Sequence, residues 1–431
     1  MPASGPTPDA APPTPEVTSM TDSLQALLRP RSVALVGASN KARSLGGMIT
    51  ERFLAAGFRG EFYPVNPKQT EIHGHPAYPS VAQIPGEVDL AIVVVPRDFV
   101  RPAVEQCRDK GVEAVSVITA GFREAGPEGE ALERELQEAL GPMRMIGPNC
   151  MGQMNTDPEV RLDGTFSPVP ALPGPIAFAS QSGALGVVVL NICHERSIGF
   201  SQFVSLGNKA DVTENDLIAA WENDPAAPVI ALYLESFSDA GALRPLAERV
   251  SARKPIVLVK AGRTSAGAQA ASSHTGALAG ADAAYDALCE QTGIIRAEGV
   301  EAMLDVSMLL SRAPLPRGGR VAVQTNAGGP AILATDALIA QGLEMAPLAE
   351  GTRAALRERL PAEAAVGNPV DMIASAGPEE YAGCLGRILD DPEVDAVVSI
   401  TVQPPLFAAT DILDALRPVI DRADKPVLTI F

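Results

Sequence analysis

Residues 259–280 read VKAGRTSAGAQAASSHTGALAG, a run of Gly, Ala and Ser that carries Lys260 and Arg263 near its start and His274 near its end. Such small residues bury little apolar surface, so the stretch is suited to presenting one imidazole, a group that can act as a base or a nucleophile near neutral pH. A helix that simply ends at Gly276 is the plainer reading of the same letters. Glu235 follows the apolar run VIALYL, where its carboxylate could accept from an imidazole N–H or merely be solvated. The segment FASQSGALG places Ser180, Gln181, Ser182 and Gly183 between a strand and a helix start, a pattern suited to an anion, although a serine cap beside a close-packed glycine uses the same residues.

A second constellation lies nearer the amino terminus. VGASNKARSLGG also joins a strand to a helix, with Gly37, Ser39, Lys41 and Arg43 in the turn, and backbone N–H groups there can meet a phosphate. The next strand ends Val65-Asn66-Pro67-Lys68. An NAD site wants an acid at that position to hold a ribose diol. Lys68 argues against an NAD-dependent dehydrogenase and, with Lys41 and Arg43, for a ligand with a phosphate-bearing end. IVVVP, ending at Pro96, then ITAGFREAG, then IGPNCMGQMN with Asn149 and Cys150, each put turn residues directly after a strand. Cys150 reads as a packing residue, as free cysteines commonly are. His73 and His75 form a His-x-His pair without a third ligand nearby, so no metal site is expected.

These residues need elements to hold them. Residues 1–23 are rich in Pro, Ala, Ser and Thr and are expected to form a disordered tail. From Ser32 onward, short apolar strands alternate with helices, which predicts parallel sheets covered on both faces. Three such units are expected, at about 24–155, 168–313 and 318–431, divided by SPVPALPGP and APLPRGG. The last run, KPVLTIF, reads as a strand, so the third unit is expected to be truncated.

At 431 residues the chain exceeds one hydrophobic core. A net charge of −18 opposes an extended nucleic-acid or anionic-membrane surface, so an anionic ligand must be met by local donors. Five cysteines without close pairs, no long apolar run and no signal-like start suggest a cytoplasmic protein.

Taken together, VGASNKARSLGG, VNPK, IVVVP, ITAGFREAG, GPNCMG, SQSGALG, SLGNKADV, KAGRT and SSHTGALAG resemble, in order, the alpha part of the NDP-forming acyl-CoA synthetases, relatives of succinyl-CoA synthetase. The resemblance covers about residues 28 to 431. It implies a Rossmann-like CoA-binding domain followed by two flavodoxin-like doubly wound domains. It also implies an acid–thiol ligase of the acetate–CoA ligase type, interconverting acyl-CoA, phosphate and ADP with carboxylic acid, CoA and ATP through an acyl phosphate and a phosphohistidine. On that implication His274 carries the phosphoryl group and Glu235 orients it. Gly37, Ser39, Lys41, Arg43, Lys68, Pro96, Asn149 and Cys150 then fall at the CoA site, and Ser180, Gln181, Ser182 and Gly183 at the phosphate. ATP or ADP and Mg2+ would be held by an ATP-grasp domain that this chain does not contain, on a beta subunit or a fused domain. A CoA-binding regulatory module of a protein acyltransferase is the alternative.

Overall fold

The computed structural model describes residues 24–264, 266–267, 282–403 and 406–431. The chain forms two compact units that divide between Ser311 and Arg312. Residues 1–23 and His274 lie outside the described residues.

In the first unit, a short helix Gln25–Leu28 leads into β1 (Ser32–Val36). Then follow β2 (Glu61–Val65), β3 (Glu71–Ile72), β4 (His75–Pro76), β5 (Leu90–Val93), β6 (Ala114–Val117) and β7 (Arg144–Ile146). Their main sheet has the order β2-β1-β5-β6-β7, and every pairing in it is parallel. All five residues of β1 are buried, as a strand covered on both faces requires. The chain leaves β1 for β2 on one side and later places β5 on the other, so the sheet switches direction at the carboxyl end of β1. That is where a crevice opens in such sheets.

The second sheet comprises β8 (Gln153–Asn155), β9 (Leu162–Asp163), β10 (Pro173–Ser180), β11 (Phe200–Ser205), β12 (Val229–Leu234), β13 (Ile256–Lys260) and β14 (Ile295–Arg296), in the order β14-β13-β12-β10-β11-β8-β9. Its switch point falls at the carboxyl end of β10, between β11 and β12. One difference from the sequence reading is informative. GQMN follows the last strand of the first sheet, yet β8 pairs antiparallel with β11 of the second. These strands are too short for an alternation to declare itself, and pairing with a distant strand decides where they go.

Both sheets are also tied through side chains. Arg144 at the start of β7 grips Asp211 at 3.0 Å and Asp216 at 3.0 Å. The N–H of Met145 donates to Asp211 Oδ2 at 2.7 Å, and that of Val212 to Met145 O at 3.1 Å. The motif SLGNKADV therefore clamps the second sheet onto the loop after β7.

The second unit holds β15 (Arg320–Thr325), β16 (Glu344–Met345), β17 (Val370–Asp371), β18 (Ala396–Ile400) and β19 (Val427–Ile430), with sheet order β16-β15-β18-β19 and β17 also on β15. All of these pairings are parallel. Helix Val300–Arg312 of the first unit and helices Glu350–Arg359 and Pro378–Leu389 of the second had no counterpart in the sequence reading. The last is a strongly two-faced helix, with Tyr381, Cys384, Leu385 and Ile388 buried at helical spacing.

Candidate functional site in the first unit

Glycines set the geometry at the end of β1. Gly37 takes φ +99°, and a Cβ there would lie 2.4 Å from the carbonyl oxygen of Val94. A Cβ on Gly46 would come within 2.0 Å of the Gly37 oxygen. Only glycines let the helix Leu45–Ala56 start so close to the strand it follows. Ser44 caps that helix, accepting from the Gly47 N–H at 3.1 Å. Ser39 Oγ accepts from the Lys41 N–H at 3.0 Å and so shapes the turn. Asn66 joins the two loops: its Nδ2 donates to Ala38 O at 2.8 Å, and its Oδ1 accepts from the Lys68 N–H at 2.8 Å. This asparagine is a site residue that the sequence reading passed over in favour of Lys68.

At the end of β10, Ser182 caps the helix Gly183–Glu195 and accepts from the Leu185 N–H at 3.4 Å. The first N–H groups of such a helix have no partner within it and carry its positive end.

The two turns share one cavity of about 1100 Å³. Of the residues assigned to CoA, Gly37, Ser39, Lys41, Lys68, Pro96, Asn149 and Cys150 line it. Gln181, Ser182 and Gly183 line it from the second sheet. Arg43 is exposed and does not line it. Among the described residues, no carboxylate lies within ion-pair distance of Lys41 or Lys68. A phosphate-bearing ligand therefore fits this end: two unpaired cations flank a glycine turn that brings backbone to the surface.

Two of the residues expected to hold an anion make hydrogen bonds within the fold. Ser180 is buried, does not line the cavity, and gives its hydroxyl proton to Ser182 O at 2.6 Å. Gln181 spends its backbone N–H on Tyr233 O at 2.9 Å. Its side-chain oxygen accepts from the N–H groups of Glu235 at 2.9 Å and Ser236 at 3.1 Å, while its Nε2 donates to Ser236 Oγ at 3.3 Å. Gln181 thus fixes the loop carrying Glu235 while also lining the cavity. That leaves Ser182 and Gly183, with Ala184, at the helix start.

Glu235 is half-buried after β12. Nearby, Lys209 Nζ lies 2.9 Å from Glu214 Oε2 and donates to Ser236 O at 2.6 Å. Burial lowers the pKa of Lys209, against the opposing pull of Glu214 and Glu235. Lys260, the end of β13, is also buried; desolvation lowers its pKa too, and its Nζ stands 4.3 Å from the Tyr285 ring centroid. Of these two buried lysines, Lys209 was not singled out from sequence. A lysine inside SLGNKADV looks like any surface lysine until its partner, five residues on, is found fully buried.

Cys150 is buried, its thiol donating to Val117 O at 3.2 Å, and desolvation pushes its pKa up to about 12. Such a thiol is inert at neutral pH. Asn149 takes φ +59° and donates from Nδ2 to Asn208 Oδ1 at 3.3 Å. Among the described residues, no cluster of three or more His, Cys, Asp and Glu could hold a metal ion, and no helix is long and apolar enough to cross a membrane.

Three family models match the chain: a CoA binding domain over residues 31–156, a succinyl-CoA ligase like flavodoxin domain over 173–310, and a ligase-CoA domain over 321–429. The chain is thus built of a CoA binding domain and succinyl-CoA ligase like domains. The alpha subunit of acetate–CoA ligase [ADP-forming] II of Pyrococcus furiosus is 43% identical over 95% of this chain and 90% of its own length. The 4-hydroxybutyrate–CoA ligase [ADP-forming] of Nitrosopumilus maritimus is 38% identical over 88% of this chain but only 55% of its own length, so the chain spans about half of that relative. A solved structure of the dinucleotide-forming acetyl-coenzyme A synthetase 1 of Ca. Korarchaeum cryptofilum, in complex with phosphate and ADP, matches with a TM-score of 0.89 and 37% identity over 94% of this chain and 88% of that one. The chain belongs to the family of ADP-forming acetate–CoA ligase alpha subunits.

Proposed function

We propose that this chain is the alpha component of an ADP-forming acyl-CoA ligase, interconverting acyl-CoA, phosphate and ADP with a carboxylic acid, CoA and ATP. The observation that carries the reading is the single cavity joining the Lys41 and Lys68 end of the first sheet to the helix start at Ser182 and Gly183 of the second. CoA occupies the first end, with Gly37, Ser39, Lys41, Lys68, Pro96 and Asn149 around it. Phosphate occupies the second. Within this reading 24–155 is the CoA domain, 168–313 carries the histidine loop, and 318–431 is the second flavodoxin-like domain.

Phosphate oxygen attacks the thioester carbonyl, the carbon–sulfur bond breaks, and CoA leaves as the thiol with an acyl phosphate formed. The helix start at Gly183 offers N–H groups and a positive end to the phosphoryl oxygens. A ring nitrogen of His274 then attacks phosphorus and the carboxylate leaves. Glu235 accepts from the other ring nitrogen, which sets the tautomer and stabilises the charged phosphoimidazole. Transfer to ADP needs an ATP-grasp subunit or domain with Mg2+, supplied by a partner. The naming of relatives as alpha subunits supports such a partner. Five buried free cysteines favour a reducing, cytoplasmic setting. No observation favours the acyltransferase-module alternative.

The test is phosphoryl labelling. With the ATP-grasp component and labelled ATP, wild type takes acid-labile, base-stable label and His274→Ala takes none. Equal labelling of the two removes the proposal.

A further inference from the structure

The turn after β11, Gly207-Asn208-Lys209, is pressed against the loop that carries Asn149. A Cβ on Gly207 would lie 2.3 Å from Pro148 O and 2.6 Å from Asn149 O, and the Asn208 N–H donates to Pro148 O at 2.9 Å. The carbonyl oxygen of Asn208 accepts from Arg123 Nη2. Asn149 and Lys209, neither of them glycine, are both held in the left-handed region, at φ +59° and +57°. Such backbone persists only where its surroundings over-determine it, and it concentrates at binding sites.

Asn208 is 8% exposed, and its side chain is fully engaged. Its Nδ2 donates to Glu124 Oε2 at 2.6 Å and to Glu133 Oε2 at 2.7 Å. Glu133 is buried and lies 3.7 Å from Arg123 Nε. Burial pushes the pKa of Glu124 up, but hydrogen bonds from Asn208 and from the N–H groups of Gly121 and Phe122 outweigh it and hold the carboxyl below its ordinary value. An ionised carboxylate only accepts. The two acids therefore take both protons of the Asn208 amide and leave its Oδ1 toward Asn149, whose Nδ2 donates to it at 3.3 Å. Reversing either amide would set oxygen against oxygen. Asn149 lines the cavity and Asn208 does not.

We infer that Asn208 is a positioning residue of the CoA site: oriented by two carboxylates, it turns the amide of Asn149 so that Asn149 Oδ1 is the acceptor offered to the ligand. The inference rests on the ligase reading, which puts CoA in this cavity. A fixed acceptor suits that ligand, whose arm carries amide N–H groups, and a group fixed before binding loses no rotamer freedom on meeting it.

The full chain, without nucleotide or partner, is titrated calorimetrically with CoA as wild type, Asn149→Ala, Asn208→Ala and the double variant, and the unfolding midpoint of each is measured. Each single change weakens CoA binding by roughly three- to tenfold, the worth of one hydrogen bond. Asn208→Ala lowers the unfolding midpoint with or without the Asn149 side chain, but costs no further CoA affinity once Asn149 is alanine. A merely structural Asn208 would weaken CoA by the same factor in both backgrounds. That result, or an unchanged affinity in Asn208→Ala, overturns the inference. If Asn208→Ala does not fold, Asn208→Ser, which keeps a donor for one carboxylate, decides by the same comparison. Failure of folded wild type to bind CoA overturns the ligase reading itself, and this inference with it.

Discussion

Lys209 is the most exacting place to perturb this fold. Its side chain is 4% exposed and that of Glu214 0%, and their charged atoms are 2.9 Å apart. Glu214 also accepts from the Ser238 N–H at 2.5 Å and from Ser238 Oγ at 3.1 Å, while Lys209 holds Ser236 O at 2.6 Å. The pair therefore brackets the loop that begins at Glu235. Lys209→Met removes the cation and leaves a buried carboxylate with only the Ser238 donors. The expected cost is about 3–5 kcal/mol, the range for an ion stranded in a protein interior. In Lys209→Met/Glu214→Gln the neutral amide still accepts from Ser238, so most of that loss returns and a residual of about 1–2 kcal/mol remains for the bond to Ser236 O. Urea unfolding followed through Trp221, the chain's single tryptophan and a buried residue of the first unit, measures all three proteins. If the double variant is no more stable than Lys209→Met, stranded charge is not the reason Lys209 matters and the electrostatic account fails.

Other expectations are simpler. Gly46→Ala places a methyl 2.0 Å from Gly37 O, so the helix must shift away from β1; we expect a loss of about 1–3 kcal/mol and weaker CoA binding, checked by unfolding and calorimetry on the same samples. All five cysteines are buried, with the thiols of Cys107, Cys150 and Cys193 pushed up to about 12, so a thiol reagent at neutral pH should react slowly with native protein and count five groups in denaturant. Fast native labelling of Cys150 would contradict its placement. In the second unit, hydrogen bonds from Arg320 hold the Asp395 carboxyl down at about 2. A depressed acid stabilises the fold above its unfolded pKa and loses that contribution as pH falls through the folded one. Asp395→Asn should therefore lower stability at neutral pH and flatten its decline from about pH 4 to 2, as acid titration of the unfolding midpoint would show.

The sequence by itself determined the alternation of buried strands and helices, because β5 (LAIV) and the VALV of β1 are unbroken apolar runs, as strands of a doubly covered parallel sheet are. It also determined the glycine turn after β1, since no other residue fits Gly37 or lets Gly46 approach it. Gly37, Ser39, Lys41, Lys68, Ser182 and Gly183 were legible as residues of strand-to-helix turns, and all six line one cavity. What lay beyond it were partnerships between distant residues. Gln181 and Ser182 are chemically equal candidates in SQSG, and only the loop after β12 reveals that Gln181 is already committed to Glu235 and Ser236. Strand β8 looks like the tail of the first domain until β11 claims it. Lys209 becomes a buried ion, and Asn208 the donor to two carboxylates, only when two sheets close over them. Local propensity and turn chemistry act within a few residues and survive in the letters; burial, hydrogen-bond competition and strand pairing are set by which surfaces meet, and that is decided by the tertiary structure.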